Sequence, residues 1–330
     1  MPFAVYRKPK QEQVIAVFQA DDTLYKTVSF EEKGFVFAPF DVQDNTVLIH
    51  PDEVFSTQFN SVAKPEKSSV EVTDGEKETH IHLVQKGIAE IKTGQLKKVV
   101  LSRKLEVEME KTHTTIFQNL LNNYPNAFCY LFHHPKVGMW CGATPETLVE
   151  IKDRHLRTMS LAATLPFDGN AQPKWGTKEV EEQQMVSDYI QERLGPSLEA
   201  LNIGQAESIR AGNLWHLRSE VTGILPQPSE IKKVIMALHP TPAVCGIPTQ
   251  TAKAFILEHE NYHRTFYTGF LGELNLYGKG ETSLFVNLRC MELKGDRATL
   301  FVGGGITSAS VPESEWIETQ NKSKTMLNIL

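Results

Sequence analysis

Residues 265–303 read TFYTGFLGELNLYGKGETSLFVNLRCMELKGDRATLFVG, and the pattern of this stretch decides the fold class. Its apolar, aromatic and β-branched runs predict three strands in direct succession, at Thr265–Leu274, Ser283–Leu293 and Ala298–Gly303. Short segments rich in glycine and charged residues separate these runs, and no helical pattern lies between them. We therefore expect an α+β fold, in which large, mostly antiparallel sheets pack together and are covered by helices.

The segments on either side of this stretch supply further strands and the covering helices. Upstream strands are predicted at Lys97–Met109, at Ala127–His133 and from Thr147 to Ala163, with a turn at Asp153-Arg154. The predicted helices are His80–Gln95 with a stop at Gly94, Thr114–Asn123, Lys174–Leu194, Glu230–Leu238 with Ser229 as its N-cap, Gln250–Glu260 and Glu313–Leu330. Strict strand–helix–strand repeats are few, which again favours antiparallel sheets.

The chain is predicted to form a single domain over residues 1–330. It has no internal repeat, and the segment Val62–Thr79, rich in lysine, glutamate and serine, is the nearest feature to a break. This segment predicts a solvated loop between a β-rich part, residues 1–79, and residues 80–330, which carry the motifs described below. We expect the first part to complete the same fold.

Composition limits the classes of function. The 330 residues carry 34 basic and 40 acidic side chains, a net charge of −6. This balance argues against nucleic acid as a partner, which needs a basic footprint, so an anionic substrate would be held by local cations or a metal. No run approaches the ~20 apolar residues of a membrane helix, and the start lacks the apolar run of a signal peptide. The four cysteines form no C-x-x-C pair, so we expect a cytoplasmic protein with reduced thiols.

Acidic residues on two predicted helices could bind a metal. Glu315, Glu318 and Lys322 share one face of the last helix, because they are three and four residues apart. Glu182 lies four residues after Lys178 on another helix. Carboxylates of this kind suit Mg²⁺, which keeps several waters and accepts an oxygen from an anionic substrate. The alternative is ion pairing on solvated helix faces, which the same spacing also predicts.

A run of three glycines, Gly303-Gly304-Gly305, follows the predicted strand Ala298–Gly303. Glycines let backbone N–H groups approach an anion closely. The alternative is a bulge or tight turn that ends the strand. The run is not a P-loop, because no Gly-Lys-Ser/Thr follows, and it lacks dinucleotide-binding spacing.

Four single residues could take part in chemistry or binding. Lys98 begins a strand, where a lysine is usually exposed, and it could act as a base only if burial or a nearby cation lowered its pKa. Glu146 follows a Thr-Pro turn, and Arg289 interrupts an apolar strand, where a buried arginine needs an anion. His216 could be a core histidine with its hydrogen bonds satisfied.

Nine segments together resemble the chorismate-binding enzyme family, over roughly three quarters of the chain from about Ile91 to the end. In chain order they are KVVLSR (Lys98–Arg103), GATPE (Gly142–Glu146), SLAAT (Ser160–Thr164), the helix around Glu182, LWHL (Leu214–Leu217), HPTPAVCG (His239–Gly246), LRC (Leu288–Cys290), GGGI (Gly303–Ile306) and EWIETQNK (Glu315–Lys322).

The resemblance implies a reaction on chorismate. In this family Mg²⁺ binds the ring carboxylate, a nucleophile attacks C2 and the C4 hydroxyl leaves. Members that use ammonia have Gln where this chain has Lys98, and aminodeoxychorismate synthases carry a nucleophilic lysine where it has Ala162. The loop from His239 to Ala243 is similar to that of the isochorismate and salicylate types. The resemblance therefore implies water as the nucleophile, isochorismate as the product of a reversible isomerisation, and no glutaminase subunit.

The same resemblance assigns roles to residues. Lys98 would be the general base and Glu146 the general acid. Glu182 and Glu318 would ligate Mg²⁺, and Glu315 would act through a bound water. The expected substrate pocket comprises Ala162, Thr164, His216, Ala243, Tyr267, Arg289, the amides of Gly303, Gly304 and Gly305, and Lys322.

The chain departs from the family pattern at two positions. Ala163 stands where a glycine is usual before Thr164, so its methyl group could narrow the pocket. Gln183 follows Glu182 where many relatives have histidine, and Glu181 or Glu179 is the alternative metal ligand.

Other functions within the family stay open on the sequence. A salicylate synthase would form isochorismate and then eliminate pyruvate, and an ammonia-using synthase would need a separate glutaminase chain. A non-catalytic chorismate-binding protein on the same fold is a further alternative. The resemblance does not choose between menaquinone, siderophore and salicylate biosynthesis, nor does it give the oligomeric state, although relatives are often monomers.

Overall fold

The structure is a computed structural model that describes residues 1–42, 46–60, 75–167, 172–211, 214–227 and 230–330. Within these ranges the strands form two large sheets. Sheet A has the order β15 (Gly246–Ile247), β7 (Lys98–Glu108), β19 (Arg297–Ile306), β18 (Cys290–Lys294), β9 (Gly138–Thr144), β8 (Phe128–His134), β1 (Phe3–Arg7), β2 (Gln13–Phe18) and β6 (Glu53–Gln58).

Sheet B has the order β12 (Ala200–Ile203), β14 (Leu214–Ile224), β11 (His155–Pro166), β10 (Thr147–Lys152), β17 (Thr282–Val286), β16 (Phe270–Leu274), β4 (Gly34–Ala38), β5 (Val47–Ile49) and β3 (Tyr25–Lys26), with β13 (Glu207–Ala211) paired to β14. In both sheets the strand pairs of the described ranges are antiparallel. The predicted fold class is therefore confirmed. The strands of residues 1–58 contribute to both sheets.

Aromatic side chains fill the space between the two sheets. Phe132 of sheet A and Phe37 of sheet B have ring centroids 4.3 Å apart, and Phe128 and Phe285 form a second pair across the sheets at 4.2 Å. All four rings are fully buried. Burying each such side chain stabilises the fold by roughly 1.5–3 kcal/mol, so this aromatic layer holds the sheets face to face.

Helices cover the outer faces, as predicted. They are α1 (Lys77–Lys92), α2 (His113–Asn123), α3 (Thr177–Leu194), α4 (Ile231–Leu238), α5 (Thr249–His259) and α6 (Pro312–Leu327). Helix α6 packs on β19, α3 packs on β11, and α5 packs on β7. Gly94 lies just beyond α1 with a φ of +87°, as expected for a helix stop. No helix in the described ranges has the length and apolarity to cross a membrane.

Two predicted features lie at least partly in segments that the structure does not describe. Ser229, the predicted N-cap of α4, lies outside the described residues. Most of the predicted loop Val62–Thr79 also lies outside them, because its residues 62–74 are not described.

The predicted strand Ser283–Leu293 is wrong as a single element. The chain leaves sheet B after β17 and enters sheet A at β18, so residues 287–289 cross between the sheets. At the crossing Arg289 has a φ of +48°, which regular strand geometry excludes. Arg289, which was predicted to interrupt one strand, therefore lies in the connection between two strands, β17 and β18. Similarly, β16 begins at Phe270 instead of Thr265, because Thr265 and Thr268 have positive φ in a turn.

The predicted end of the last strand at Gly303 is also wrong. Strand β19 continues to Ile306 and pairs with β7 along its whole length, from Arg297 opposite Glu108 to Ile306 opposite Val99. The three glycines are thus paired strand residues and not a terminating turn. A Cβ at Gly303 would lie 2.8 Å from the carbonyl oxygen of Leu101, so crowding accounts for this glycine.

Candidate active site

A cavity of about 110 Å³ lies where β7 and β19 of sheet A approach β11 and β14 of sheet B, between helices α3 and α6. An adjoining cavity of about 70 Å³ shares four of its lining residues, so the two form one site. Of the predicted site residues, those lining this site are Lys98, Glu146, Ala162, Thr164, Glu182, His216, Ala243, Tyr267, Arg289, Gly303, Gly305, Glu318 and Lys322. The fold therefore brings together side chains that are far apart in sequence.

Lys98 is buried, although a lysine at a strand start is usually exposed. Strand β15 pairs with β7 at this point, with Ile247 opposite Lys98, and the lysine is 1% exposed. Its Nζ lies 2.7 Å from Oε1 of Glu182, which extends from α3. A buried ammonium needs such a partner, because desolvation of an unpaired charge is costly. The exposed strand-end interpretation is therefore wrong.

Glu146 is a buried carboxyl group that opens into the same cavity. It follows β9 through Pro145 and is 5% exposed. Burial raises its pKa from 4.5 to about 7, and this exceeds the opposing effects of Lys98 and Arg289. A carboxyl group with such a pKa carries a proton for much of the time near neutral pH, so it can donate one.

Helix α6 packs on β19, and the helix face that carries Glu315, Glu318 and Lys322 lies against the glycine run of that strand. Lys322 forms an ion pair with Glu318 and donates a hydrogen bond from Nζ to the carbonyl oxygen of Gly303, at 2.9 Å. The carbonyl oxygen of Lys322 accepts a hydrogen bond from Nη1 of Arg289 at 3.4 Å. Glu315, one turn earlier, is 4% exposed. The spacing thus gives the expected i,i+4 pair, but this face is partly buried against the site instead of lying fully exposed to solvent.

The last two glycines of the run, Gly304 and Gly305, leave room for carboxylates. A Cβ at Gly304 would lie 3.3 Å from Oε2 of Glu315 and 3.6 Å from Oε1 of Glu318. A Cβ at Gly305 would lie 3.0 Å from Oε1 of Glu182. Carboxylates from α3 and α6 therefore converge on one short stretch of β19. Gly304 and Glu315, which do not line the cavity itself, lie beside it.

These three carboxylates suit a hard cation. Mg²⁺ prefers oxygen donors and binds through one or two carboxylates while keeping waters. Among the described residues no three His, Cys, Asp or Glu side chains already stand at metal-ligand geometry. Two of the carboxylates instead hold lysines, Glu182 with Lys98 and Glu318 with Lys322. The chemistry of this donor set, carboxylate oxygens beside Gly304 and Gly305 (the glycine cradle), therefore fits Mg²⁺.

His216 enters the cavity as a neutral ring. Burial, together with the nearby charges of Arg289 and Lys322, lowers its pKa to about 3. Nδ1 lies 3.0 Å from the carbonyl oxygen of Ala163, so this nitrogen carries the hydrogen. Nε2 is then an acceptor, and it is buried without a protein hydrogen-bond partner. His216 is therefore able to accept a hydrogen bond from a bound hydroxyl group.

The two departures from the family pattern have different structural consequences. Ala163 has a φ of +59°, a conformation that glycine adopts at lower cost, and it sits where the β11–β14 register shifts. Gln183 points away from the cavity, and its Nε2 donates to Ser160 and Ser219.

Helix α3 presents Glu182 to the site. Of the two alternative ligands, Glu181 is exposed. Glu179 lines the cavity, but its carboxylate accepts a hydrogen bond from the backbone N–H of Gly176 at the start of the helix. The geometry thus favours Glu182 among the three.

One buried pair was not predicted. Glu260 accepts hydrogen bonds from the backbone and hydroxyl of Ser102, and Arg264 pairs with Glu260 while it donates to the carbonyl oxygens of Val100 and Val244. This pair ties β7 to the loop that carries Ala243. In the sequence, the i,i+4 spacing of Glu260 and Arg264 could have indicated an ion pair, but the same spacing is common on exposed helices and does not indicate burial.

Comparison with known proteins identifies similar sequences over most of the chain. A family model described as chorismate binding enzyme matches residues 43–330. The chain is 30% identical over 317 residues to isochorismate synthase DhbC of Bacillus subtilis (strain 168). This alignment covers 88% of this chain and 79% of that protein. The chain is also 31% identical over 260 residues to isochorismate synthase MenF of Escherichia coli (strain K12). That alignment covers 76% of this chain but only 59% of MenF.

The fold is shared as well. The crystal structure of DhbC from Bacillus anthracis, assigned as a 2,3-dihydroxybenzoate-specific isochorismate synthase, matches with a TM-score of 0.85 and 25% identity over 99% of this chain and 96% of that chain. Since the family model extends over most of the chain and includes every residue of the candidate site, the protein belongs to the chorismate-binding enzyme family.

Proposed function

We propose that this protein is an isochorismate synthase, an isomerase that converts chorismate to isochorismate with water as the nucleophile. The observation that carries the proposal is that one cavity contains a buried amine, Lys98, and a buried carboxyl group, Glu146, whose pKa is about 7. Ala162 lines the same cavity, so this position supplies no covalent nucleophile. The relatives named isochorismate synthases support the same function.

The substrate carries two carboxylates, and the site has two places for them. Arg289 and Lys322 line both parts of the cavity, and Tyr267 and Gly303 line the smaller part. An arginine binds a carboxylate through two parallel N–H groups, which fixes orientation as well as charge. We assign the enolpyruvyl carboxylate to the smaller part and the ring carboxylate to the side where Glu182 and Glu318 lie.

Mg²⁺ would be held by Glu182 and Glu318, with Glu315 acting through a bound water. When bound, the metal neutralises a substrate carboxylate and fixes its position. The protein's own contribution is the glycine cradle at Gly304 and Gly305, which lets the carboxylates approach β19 closely.

The reaction then needs one proton removed and one donated. Lys98 must first release the proton that it carries in its ion pair with Glu182, and it then takes a proton from the water molecule that attacks C2 of the ring. Glu146 donates a proton to the C4 hydroxyl, which leaves as water while the ring double bonds shift. One water enters and one leaves, so the net change is an isomerisation. In the reverse direction the two residues exchange roles, which agrees with a pKa for Glu146 near neutrality.

A product assay tests the proposed function. The purified protein is incubated with chorismate and MgCl₂, and the products are separated by chromatography. We expect isochorismate, and no product when EDTA is present. Salicylate with pyruvate would instead make the protein a salicylate synthase, and conversion only with ammonia would contradict the role given to Lys98. Absence of any conversion would favour a non-catalytic chorismate-binding protein.

The glycine cradle gives a further prediction. In Gly305→Ala the new Cβ would lie 2.9 Å from Cε of Lys98 and 3.0 Å from Oε1 of Glu182, so both side chains must shift. A displacement of about 1 Å in a catalytic site can cost about 10²-fold in rate, and we expect a loss of that order in chorismate turnover. Gly75→Ala is the matched control, because nothing lies within 4 Å of its added Cβ. Equal activity of the two variants would contradict the proposed cradle.

A further inference from the structure

A second, larger cavity lies outside the candidate active site. It has a volume of about 720 Å³ and lies between α3, α4, α5 and the two ends of the connection from β4 to β5. Small-molecule sites typically have volumes of ~300–1,000 Å³, so this cavity is of the right size for a ligand. The reaction proposed above makes no use of it.

Part of the cavity wall is apolar. Phe30 and Phe40 form a buried part of it, each 2% exposed. Val28 and Met236 also line it, and they are 49% and 42% exposed. Large apolar side chains left open to solvent around a concave surface are typical of a binding site for an apolar group.

The charged side chains of the cavity are mostly basic. Among the described residues that line the cavity, the cations are Lys97, Arg193, Lys232 and Lys253, and the anions are Asp41 and Glu192. Lys253 is already paired with Asp41, at 2.9 Å, which leaves three cations facing one carboxylate. This local excess is opposite in sign to the net charge of −6 for the whole chain. A concentration of positive charge on an acidic protein favours an anionic ligand at that point.

The apolar wall and the cations together define the ligand class. An inorganic anion would pair with the cations but would leave the apolar wall exposed to solvent. A neutral ring would cover the apolar wall but would leave the cations without an anion. We propose that this cavity binds a small carboxylate with an apolar, ring-sized body, at a site separate from the active site. The site adjoins segments of the active site, since Lys97 precedes Lys98 and Pro240 lies in the loop that leads to Ala243. The binding itself does not depend on the proposed function.

Calorimetric titration with benzoate tests the proposal, because benzoate joins one carboxylate to one ring. We expect saturable binding to the full-length protein, with benzyl alcohol and acetate binding at least about tenfold more weakly. Lys232→Glu is expected to weaken benzoate binding about fivefold, which is the effect of reversing one partly exposed charge. Lys233→Glu is the matched control on the same helix, because Lys233 pairs with Glu230 and does not line the cavity.

Benzoate could instead enter the active site, and a second variant separates the two sites. Arg289→Ala removes a carboxylate-binding residue of the active site but leaves the large cavity unchanged. Benzoate binding retained in Arg289→Ala and weakened in Lys232→Glu would support the proposal. The reverse pattern, no saturable binding, equal loss in Lys232→Glu and Lys233→Glu, or acetate binding as tightly as benzoate would each overturn it.

Discussion

Replacing Lys98 with alanine is expected to lower chorismate turnover by about 10²–10⁴-fold, the usual contribution of a positioned general base. The other nitrogen groups in the cavity cannot take over its role. His216 has a pKa of about 3 because it is buried near two cations, so its ring is a very weak base. Lys322 lies beside Glu318 and the carbonyl oxygen of Gly303, where we assign it to binding a substrate carboxylate and not to proton removal. Without Lys98, water must attack without a base.

The measurement is the initial rate of isochorismate formation at saturating chorismate and MgCl₂. Lys104→Ala is the matched control, because Lys104 lies on the same strand but its side chain is 39% exposed. We expect near wild-type rates for this control. Added ethylamine should restore part of the activity of Lys98→Ala, because a small amine fits the space left by the side chain. Substantial turnover by Lys98→Ala, or no rescue with an intact fold by circular dichroism, would place the base elsewhere.

The fold class could be predicted from the sequence, because runs of strands without intervening helices leave few arrangements other than antiparallel sheets. The turn at Asp153-Arg154 was placed correctly, and both residues have positive φ. The crossing at Arg289 could not be predicted from periodicity. Residues 283–293 are apolar on both sides of the crossing, because both sheets bury their inner faces, and a local pattern carries no information about which sheet a strand joins.

The candidate site was predictable from family motifs but not from spacing. Glu318 and Lys322 do form the i,i+4 pair that their spacing predicts, yet the pair lies in a site because α6 packs on β19. Burial of Lys98 depends on β15, a two-residue strand from a loop about 150 residues later. Whether a charged residue lies in solvent or in a site depends on such packing. The packing is between segments that are distant in sequence, so a local sequence pattern does not reveal it.

Replacing Glu146 with glutamine is expected to lower turnover by about 10²–10⁴-fold and, at alkaline pH, to stabilise the fold. Glutamine cannot donate a proton to the leaving hydroxyl as an acid. The wild-type rate should fall as the pH rises through about 7, because Glu146 loses its proton there. The residual rate of Glu146→Gln should lack this decline. A similar decline in both enzymes would assign that titration to another group.

The stability prediction follows from the same pKa. Glu146 binds its proton more tightly in the folded protein, with a pKa of about 7, than at its ordinary value of 4.5. The free energy of unfolding therefore falls as the pH rises from about 4.5 to about 7, and above that range the buried carboxylate costs roughly 3 kcal/mol. Glutamine has no such cost, so Glu146→Gln should unfold at higher urea concentration than wild type at pH 8 and at nearly the same concentration at pH 4.5.

Urea unfolding at the two pH values measures this difference. Glu106→Gln is the control, because that carboxylate is 49% exposed on β7 and should change stability little at either pH. A more stable yet inactive Glu146→Gln would show that the protein maintains a destabilising buried acid for its chemistry, as active sites commonly do. A variant that is less stable than wild type at pH 8 would instead mean that the ionised carboxylate stabilises the fold through Lys98 and Arg289, and Glu146 would then not be a proton donor near neutral pH.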